Sequence, residues 1–386
     1  MAFADAFLAS LLVALISTPV LRRVALRFGA VDRPGARSTH VHDVPYLGGL
    51  AIFLACAAGL AVLLWHGVAA VQAERLRGVL YGGLIVVIAG VADDLGQVWA
   101  RFVPWLADRE RRGVRPAVKV LAQVAGATVL FTHGVRIVDM QNPFAHYDYI
   151  EFGWAAYPLT VLWVVAVSNA VNLVDGLDGL AAGLSSIAAA TLLVVAVING
   201  MWLAMLFCGV LLGACLGFLP WNFHPARIFM GDAGALFLGF ALGAVSVIGP
   251  LKSPTLVALA VPALALGLPV FDTALAILRR WRKGQGVAAA DHGHVHHRLL
   301  DLGFSHRDAV LALYVVSGWL GVSALAVARV GPLLGGAIVA FVVLSVGLAA
   351  RWAGMTGARR AEARALPDEQ LRQVPLAAPP PPPPLR

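Results

Sequence analysis

Charged residues are scarce in this chain: Asp, Glu, Lys and Arg make up 13% of its 386 residues. Soluble globular domains usually carry about 25% charge, so this scarcity excludes an ordinary water-soluble protein. Hydrophobic residues account for 60% of the chain. They are grouped in repeated apolar runs of about 20 residues, which predict one helical bundle in lipid.

Cysteine is rare, and its placement excludes two kinds of stabilising site. Cys56, Cys208 and Cys215 all fall inside apolar runs, with spacings that fit neither a disulfide framework nor a zinc site. We interpret them as packing residues. The first apolar run, 3–21, also lacks the basic start and the cleavage site of a signal peptide, so a retained helix is predicted.

The apolar runs predict an all-α, polytopic membrane bundle of about eleven transmembrane helices. The candidate spans are 3–21, 46–65, 78–92, 117–133, 157–168, 180–198, 201–219, 233–250, 255–278, 309–328 and 331–350. Residues 1–350 are therefore predicted to form one membrane domain. Residues 351–386 are polar, rich in Ala and end in a proline run, which favours a disordered cytoplasmic tail.

Basic residues are distributed unevenly between the two sides of the predicted bundle. Alternating the sides of successive spans places 24 Lys and Arg on one side and five on the other. This asymmetry predicts that the first side is cytoplasmic and that the N-terminus lies outside. The net charge of +8 then reflects topology and attraction to anionic membrane lipid, and it does not indicate a nucleic-acid partner.

The most informative stretch lies between the fifth and sixth predicted spans. Asn169, Asn172, Asp175 and Asp178 follow one another at a spacing of three residues. If the stretch is helical, these four side chains share one face. Acids beside membrane helices are costly and point to a functional site, whereas the alternative is a solvated turn.

Carboxylates and amides recur at the cytoplasmic ends of the predicted spans. The set consists of Asp93, Asp94, Asn172, Asp175, Asp178 and Asp232. Such hard oxygen ligands suit Mg²⁺ or Mn²⁺ better than zinc. Lys119, the basic run 279–283 and Arg298 supply cationic partners for phosphate on the same side. The combination predicts metal-assisted phosphoryl transfer.

A histidine-rich segment follows the ninth predicted span and has two interpretations. Its histidines are His292, His294, His296 and His297. They could hold a transition metal, or they could bind phosphate or sugar together with Arg298. We favour the second interpretation, and an exposed polar loop is the remaining alternative.

Four motifs, taken in order, resemble those of the polyprenyl-phosphate N-acetylhexosamine-1-phosphate transferases. They are Asp93-Asp94, Asn172-Leu-Val-Asp175-Gly-Leu-Asp178-Gly, Phe229-Met-Gly-Asp232-Ala-Gly and His294-Val-His296-His297-Arg298. The resemblance runs from about Asp32 to Leu313. The form of residues 294–305 is similar to the branch that uses UDP-N-acetylglucosamine or a related UDP-HexNAc. It is less similar to the branch that transfers phospho-MurNAc-pentapeptide.

The resemblance implies a reaction, partners and a location. A polyprenyl phosphate, such as undecaprenyl phosphate, attacks the β-phosphorus of a UDP-N-acetylhexosamine, with Mg²⁺ required and UMP released. The product initiates cell-envelope polysaccharide synthesis at the bacterial inner membrane, with the catalytic loops cytoplasmic. The sugar, the polymer and the choice between monomer and homodimer stay open.

The resemblance also implies a role for each matched residue. Asn172 and Asp232 would hold Mg²⁺. The catalytic acids would be Asp93 and Asp94, at the prenyl-phosphate entrance with one as base or metal partner, and Asp175 as a catalytic or metal-organising acid. Lys119 would neutralise phosphate. Asp178 and Phe229 would bind uracil. The sugar-phosphate contacts would come from His294, His296, His297 and Arg298.

Two other classes compete with the transferase. A transporter would place membrane acids along an ion path and is favoured by inverted repeats, but we find no repeat and the acids lie at one face. An inactive scaffold would lack one of the acids, and none is missing. One departure from the family is the long 95–116 segment, which predicts either an interfacial amphipathic piece or a disordered insert.

Overall fold

The computed structural model describes residues 1–32, 43–96, 114–141, 149–248, 263–282, 295–330 and 332–352. Some sequence predictions lie outside this part of the chain. They concern residues 97–113 of the 95–116 segment, residues 255–262 of the ninth predicted span, the side chains of the basic run 279–283, His292, His294, the side chains of His296 and His297, and the tail from residue 353.

Helices dominate the described residues. The main ones are α1 (Ala2–Phe28), α2 (Gly48–Trp65), α3 (Ala70–Asp94), α4 (Pro116–Thr132), α5 (Ala156–Val174), α6 (Leu180–Ile198), α7 (Trp202–Asn222), α8 (Gly231–Ile248), α9 (Gly267–Arg282), α10 (Val295–Asp301), α11 (His306–Val327) and α12 (Pro332–Trp352). Eight helices in the described ranges are long and apolar enough to cross a membrane. The prediction of a multi-pass helical membrane protein is confirmed at this level.

Two short strand pairs depart from the all-α prediction. Strands β1 (Val31–Asp32) and β2 (Val44–Pro45) pair antiparallel, with Val31 opposite Pro45. Strands β3 (Asp139–Gln141) and β4 (Tyr149–Glu151) also pair antiparallel, with Met140 opposite Ile150. Pairs of two or three residues leave no clear period-2 pattern in a sequence, which explains why they were missed.

Several helices extend beyond the predicted apolar runs because polar turns continue them. Helix α1 includes three arginines beyond residue 21 and ends where Gly29 adopts a left-handed conformation at φ 68°. Helix α3 begins eight residues before the predicted span. Its added turns carry an ion pair between Arg77 and Glu74 at 2.8 Å, one helical turn apart.

Helix α8 lies at the centre of the bundle. Every residue from Ala233 to Val247 is buried, and the helix packs against α2, α3 and α5. Close approach depends on small residues: a Cβ on Gly49 would collide with the backbone of Gly234, and one on Gly90 with the backbone of Ala233. This packing of small residues brings the polar ends of α2, α3 and α8 to one point.

Candidate active site

A lysine and two carboxylates form the first part of the site. The Lys119 ammonium lies 2.6 Å from Asp232 Oδ2 and 3.2 Å from Asp93 Oδ2. The other Asp93 oxygen accepts a hydrogen bond from the Val114 backbone N–H at 2.7 Å. The three side chains come from the end of α3, the first turn of α4 and the first turn of α8. The structure therefore joins three of the predicted site residues in one ion cluster.

Asp94 contacts the backbone at the start of α8. Its two carboxylate oxygens accept hydrogen bonds from the N–H groups of Asp232 and Ala233, at 2.8 and 3.2 Å. These N–H groups have no partner inside their own helix, and a carboxylate is well placed at the positive end of a helix. Gly231 adopts φ 65°, and a Cβ there would collide with the Asp94 carboxylate. Asp94 thereby fixes the position of Asp232.

Asp94→Asn is expected to lower thermal stability and activity together. An amide offers one acceptor where the carboxylate offers two, so one N–H at the start of α8 loses its partner. Losing a helix cap costs about 1 kcal/mol, which is a fall of roughly 2–4 °C in the thermal midpoint. Thermal unfolding in detergent measures this fall in the midpoint, and Glu74→Gln, which changes an exposed acid, is the control. Full stability with activity lost would contradict this structural role and favour direct catalysis.

The central polar stretch only partly follows the sequence prediction. Helix α5 continues to Val174, well beyond the predicted end at residue 168, so Asn169 and Asn172 are helical. Asp175 caps the helix and Asp178 lies in the following turn, so the prediction of a four-residue stripe is wrong for these two acids. Asn169 donates a hydrogen bond to the buried Gln123 Oε1 at 2.6 Å. The Asn172 amide has no hydrogen-bond partner within the described residues.

Asp175 interacts electrostatically with two other acids of the site, Asp232 and Asp178. Burial, followed by the nearby Asp232 and Asp178 carboxylates, raises the pKa of its carboxyl to about 7. The chain holds this acid at the end of a helix, where the negative end of the helix dipole also disfavours ionisation. Asp175 therefore gives up a proton near neutral pH, unlike an ordinary aspartate.

A second group surrounds Asp178. His224 Nδ1 lies 2.8 Å from Asp178 Oδ2, and the Ala226 N–H donates to the same oxygen at 3.1 Å. The Asp178 backbone N–H donates to His306 Nε2 at 2.9 Å. Asn222 and Tyr314 hold the next residue, since Gly179 N–H donates to Asn222 Oδ1 and Tyr314 O–H donates to Gly179 O. Sequence reasoning missed these four partners, which are His224, His306, Asn222 and Tyr314.

Comparison with known proteins places these residues in a family. Residues 76–250 match the sequence model of a protein family, glycosyl transferase family 4. A probable undecaprenyl-phosphate N-acetylglucosaminyl 1-phosphate transferase from Bacillus subtilis is 41% identical over 320 residues, which is 83% of each chain. The chain belongs to glycosyl transferase family 4.

Two further relatives of this family member differ in the activity that their names give. A decaprenyl-phosphate N-acetylglucosaminephosphotransferase from Mycolicibacterium smegmatis is 36% identical, over 82% of this chain and 79% of its own. A phospho-N-acetylmuramoyl-pentapeptide-transferase from Desulfotalea psychrophila is 31% identical, over 78% and 85%. The family assignment made from the four motifs is confirmed.

Two more of the predicted residues, Phe229 and Arg298, are among those that the structure of this family 4 chain describes. Phe229 faces the Tyr46 ring at a centroid distance of 6.2 Å, and its backbone pairs with Pro45 and Gly48. Arg298 lies in the short helix α10, whose first N–H, that of Val295, donates to the buried Asp272 carboxylate at 3.1 Å. Asp272 is a further acid that the sequence analysis did not single out.

The donor set fits a hard divalent cation. The carboxylates of Asp93, Asp94 and Asp175 are each close enough to Asp232 or its neighbours to interact electrostatically. Within the described residues, the Lys119 ammonium contacts two of these acids, Asp93 and Asp232. The surplus of negative charge and the oxygen donors suit Mg²⁺. The Asn172 amide oxygen adds an acceptor without a partner in the described chain.

Proposed function

We propose that this family member transfers N-acetylglucosamine 1-phosphate from UDP-GlcNAc to polyprenyl phosphate, releasing UMP. The observation that carries the proposal is the cluster of Lys119 between Asp93 and Asp232, beside two further acids. Such a cluster suits the charges of two phosphorylated substrates and a divalent cation. The activities named for the B. subtilis and M. smegmatis relatives support the same reaction class.

The proposed reaction is a displacement at phosphorus. An oxygen of the polyprenyl phosphate forms a bond to the β-phosphorus, and the bond from that phosphorus to the bridging oxygen of UMP breaks. Phosphoryl transfer depends mostly on positioning and charge neutralisation. A phosphate monoester has a second pKa near 6, so the attacking group is largely ionised at neutral pH. A general base is then not strongly needed, and Asp93 serves chiefly to hold Lys119 beside the incoming phosphate.

The other residues divide between the metal and the nucleotide sugar. Asn172 and Asp232 would hold Mg²⁺, which supplies charge neutralisation at the diphosphate when bound. Asp178 would accept a hydrogen bond from uracil, and Phe229 would stack on it. His294, His296, His297 and Arg298 would contact the sugar phosphate. The basic asymmetry of the sequence supports a cytoplasm-facing site in the bacterial plasma membrane.

UMP release by the purified protein in detergent tests the proposal. Undecaprenyl phosphate and Mg²⁺ are supplied with UDP-GlcNAc, UDP-GalNAc or UDP-MurNAc-pentapeptide in separate reactions. Release that requires the lipid, the cation and UDP-GlcNAc is expected. Release with the pentapeptide donor instead would identify the second branch, which the D. psychrophila relative represents. Folded protein that releases UMP with none of the donors would contradict the proposed function.

The raised pKa of Asp175 predicts a pH-dependent stability. The pKa of the Asp175 carboxyl is about 7 in the folded chain. Between about pH 4 and pH 7 the folded chain therefore keeps a proton on this group that the unfolded chain has lost. The contribution of Asp175 to stability is therefore present below about pH 4 and is lost as the pH rises towards 7. Without divalent cation, the thermal midpoint is expected to fall by roughly 5 °C between pH 5 and 8.

Asp175→Asn is expected to flatten this pH dependence, because the amide does not ionise. The thermal midpoint is measured at pH 5, 6, 7 and 8, first with a chelator and then with excess Mg²⁺. Added Mg²⁺ is expected to offset the fall, since a nearby cation favours the ionised acid. Glu74→Gln, which removes an exposed acid with an ion pair to Arg77, serves as the control. An unchanged slope in Asp175→Asn would contradict the assignment.

A further inference from the structure

Two stacked imidazoles lie beside Asp178, one in contact with its side chain and the other with its backbone. His224 follows the end of α7, and His306 is the first residue of α11. Their ring centroids are 4.3 Å apart and their planes differ by 21°. The Asp178 side chain is only 10% exposed. Polar groups that are withdrawn from water need hydrogen-bond partners, so the direction of each bond to Asp178 matters.

The contacts fix the proton positions on both rings. His306 Nε2 accepts from the Asp178 backbone N–H, so this nitrogen carries a lone pair and the ring is neutral, with its proton on Nδ1. A carboxylate only accepts, so His224 Nδ1 must carry the proton that it donates to Asp178 Oδ2. The Ala226 N–H donates to the same oxygen. The histidines thus have different tasks: His306 holds the backbone of Asp178, and His224 holds its side chain.

A metal ion is the competing explanation for this group. One ligand atom from each of Asp178, His224 and His306 lies within 4.8 Å of the others. In a metal site both ring nitrogens would aim free lone pairs at one ion. Here the rings stack nearly face to face, His224 Nδ1 holds a proton and the His306 Nε2 lone pair accepts from an N–H. The hydrogen bonds therefore account for the cluster without an ion.

Contacts at the start of α11 and two turns along it hold His306 next to Asp178. Ser305 caps the helix, accepting from the Asp308 N–H at 3.2 Å and donating to the Asp308 carboxylate at 2.6 Å. Two turns further along the helix, Tyr314 donates its O–H to Gly179 O. Tyr314 also fills the space beside Gly183, where an added Cβ would collide with it. The 178–179 backbone is therefore held at two points by one helix.

We propose that His224 and His306 are positioning residues that give the site its preference for uracil over cytosine. Oδ2 of Asp178 already accepts two hydrogen bonds, which leaves Oδ1 as the acceptor for a ligand among the described contacts. Uracil presents an N3–H donor at its pairing edge, whereas cytosine presents a lone pair there, so a carboxylate oxygen held in place by these contacts accepts from the first and is repelled by the second. The inference rests on one part of the proposed function, the binding of uracil by Asp178, and it does not depend on the transfer reaction itself.

Matched substitutions separate positioning from general packing. An Asn side-chain amide donates from near the position of imidazole Nδ1, and a Gln carbonyl accepts near that of Nε2. His224→Ala and His306→Ala are each expected to raise KM for the UDP-sugar about tenfold, with KM for polyprenyl phosphate unchanged. His224→Asn and His306→Gln are expected to restore most of the loss. The ratio of CMP to UMP inhibition constants is expected to fall in the Ala variants and recover in the matched ones.

Direct binding measurements keep the proposal testable apart from catalysis. Calorimetry with UMP and with CMP on each purified variant reports base preference without turnover. Equal loss of affinity for both nucleotides, or no recovery in the matched variants, would overturn the positioning role. Zinc bound by the wild type at one equivalent, and lost in both Ala variants, would assign a metal site instead. If the wild type binds UMP over CMP but releases no UMP from any donor, the proposed function fails and this inference stands.

Discussion

Asp232→Asn is expected to lower UMP release by about a thousandfold or more while the protein remains folded. The Asp232 carboxylate contacts the Lys119 ammonium at 2.6 Å and lies at the start of the most buried helix. In the proposed reaction it is a charged ligand of Mg²⁺, a role that a neutral amide fills poorly. The fold is expected to persist, because Lys119 keeps Asp93 and the helix start keeps its contacts to Asp94.

The measurement pairs initial rates of UMP release with thermal unfolding in detergent. Asp5→Asn is the matched control, since Asp5 is an exposed acid near the start of α1 whose contact is His66 at 3.0 Å. The control is expected to keep the wild-type rate. An Asp232→Asn protein that is folded and turns over at a near-normal rate would remove this residue from the catalytic site. It would also withdraw the metal role proposed for it.

Gly49→Ala is expected to destabilise the protein strongly and to reduce activity with it. The added methyl group would collide with the backbone of Gly234 in α8, where no side chain can move aside. Overpacking of this kind costs about 1–3 kcal/mol or more, which is roughly 5 °C or more in the thermal midpoint. Activity falls as well, because the same turn of α8 carries Asp232. Thermal unfolding and UMP release of one preparation test both effects.

Gly318→Ala provides the control for this prediction. Gly318 lies within α11, and a Cβ added there meets no atom within 4 Å. The substitution changes only the helix propensity, which favours Ala, so the thermal midpoint is expected to stay or rise slightly. If Gly49→Ala unfolds at the wild-type temperature, α2 and α8 do not require this close approach. The position of Asp232 would then need another explanation.

The sequence predicted that certain charged residues come together, but it did not predict their individual contacts. Asp93, Lys119 and Asp232 were singled out as acid, phosphate partner and metal ligand, and the structure joins them in one cluster. Their grouping could be inferred because charged side chains at the ends of apolar membrane spans point to a functional site. That Asp94 caps α8 could not be inferred, because capping depends on which helix start lies opposite, a matter of tertiary packing.

The central polar stretch shows where periodicity stops being informative. A spacing of three residues is compatible with a helix and with a turn, and local sequence does not say where one gives way to the other. The structure ends α5 at Val174 and places Asp178 in a turn held by His224 and His306. These histidines are 46 and 128 positions away from Asp178 in the chain, so no local pattern connects them with it.

The sequence by itself determined the class of this protein: a helical membrane chain with acids, a lysine and histidines gathered at the ends of its spans. Hydrophobic run length and charge scarcity decide this, since lipid tolerates few alternatives. The tertiary structure alone decided which acids contact Lys119, which one caps α8 and which one is held by two histidines. Those roles depend on contacts between helices distant in sequence, made possible where glycines let the backbones approach.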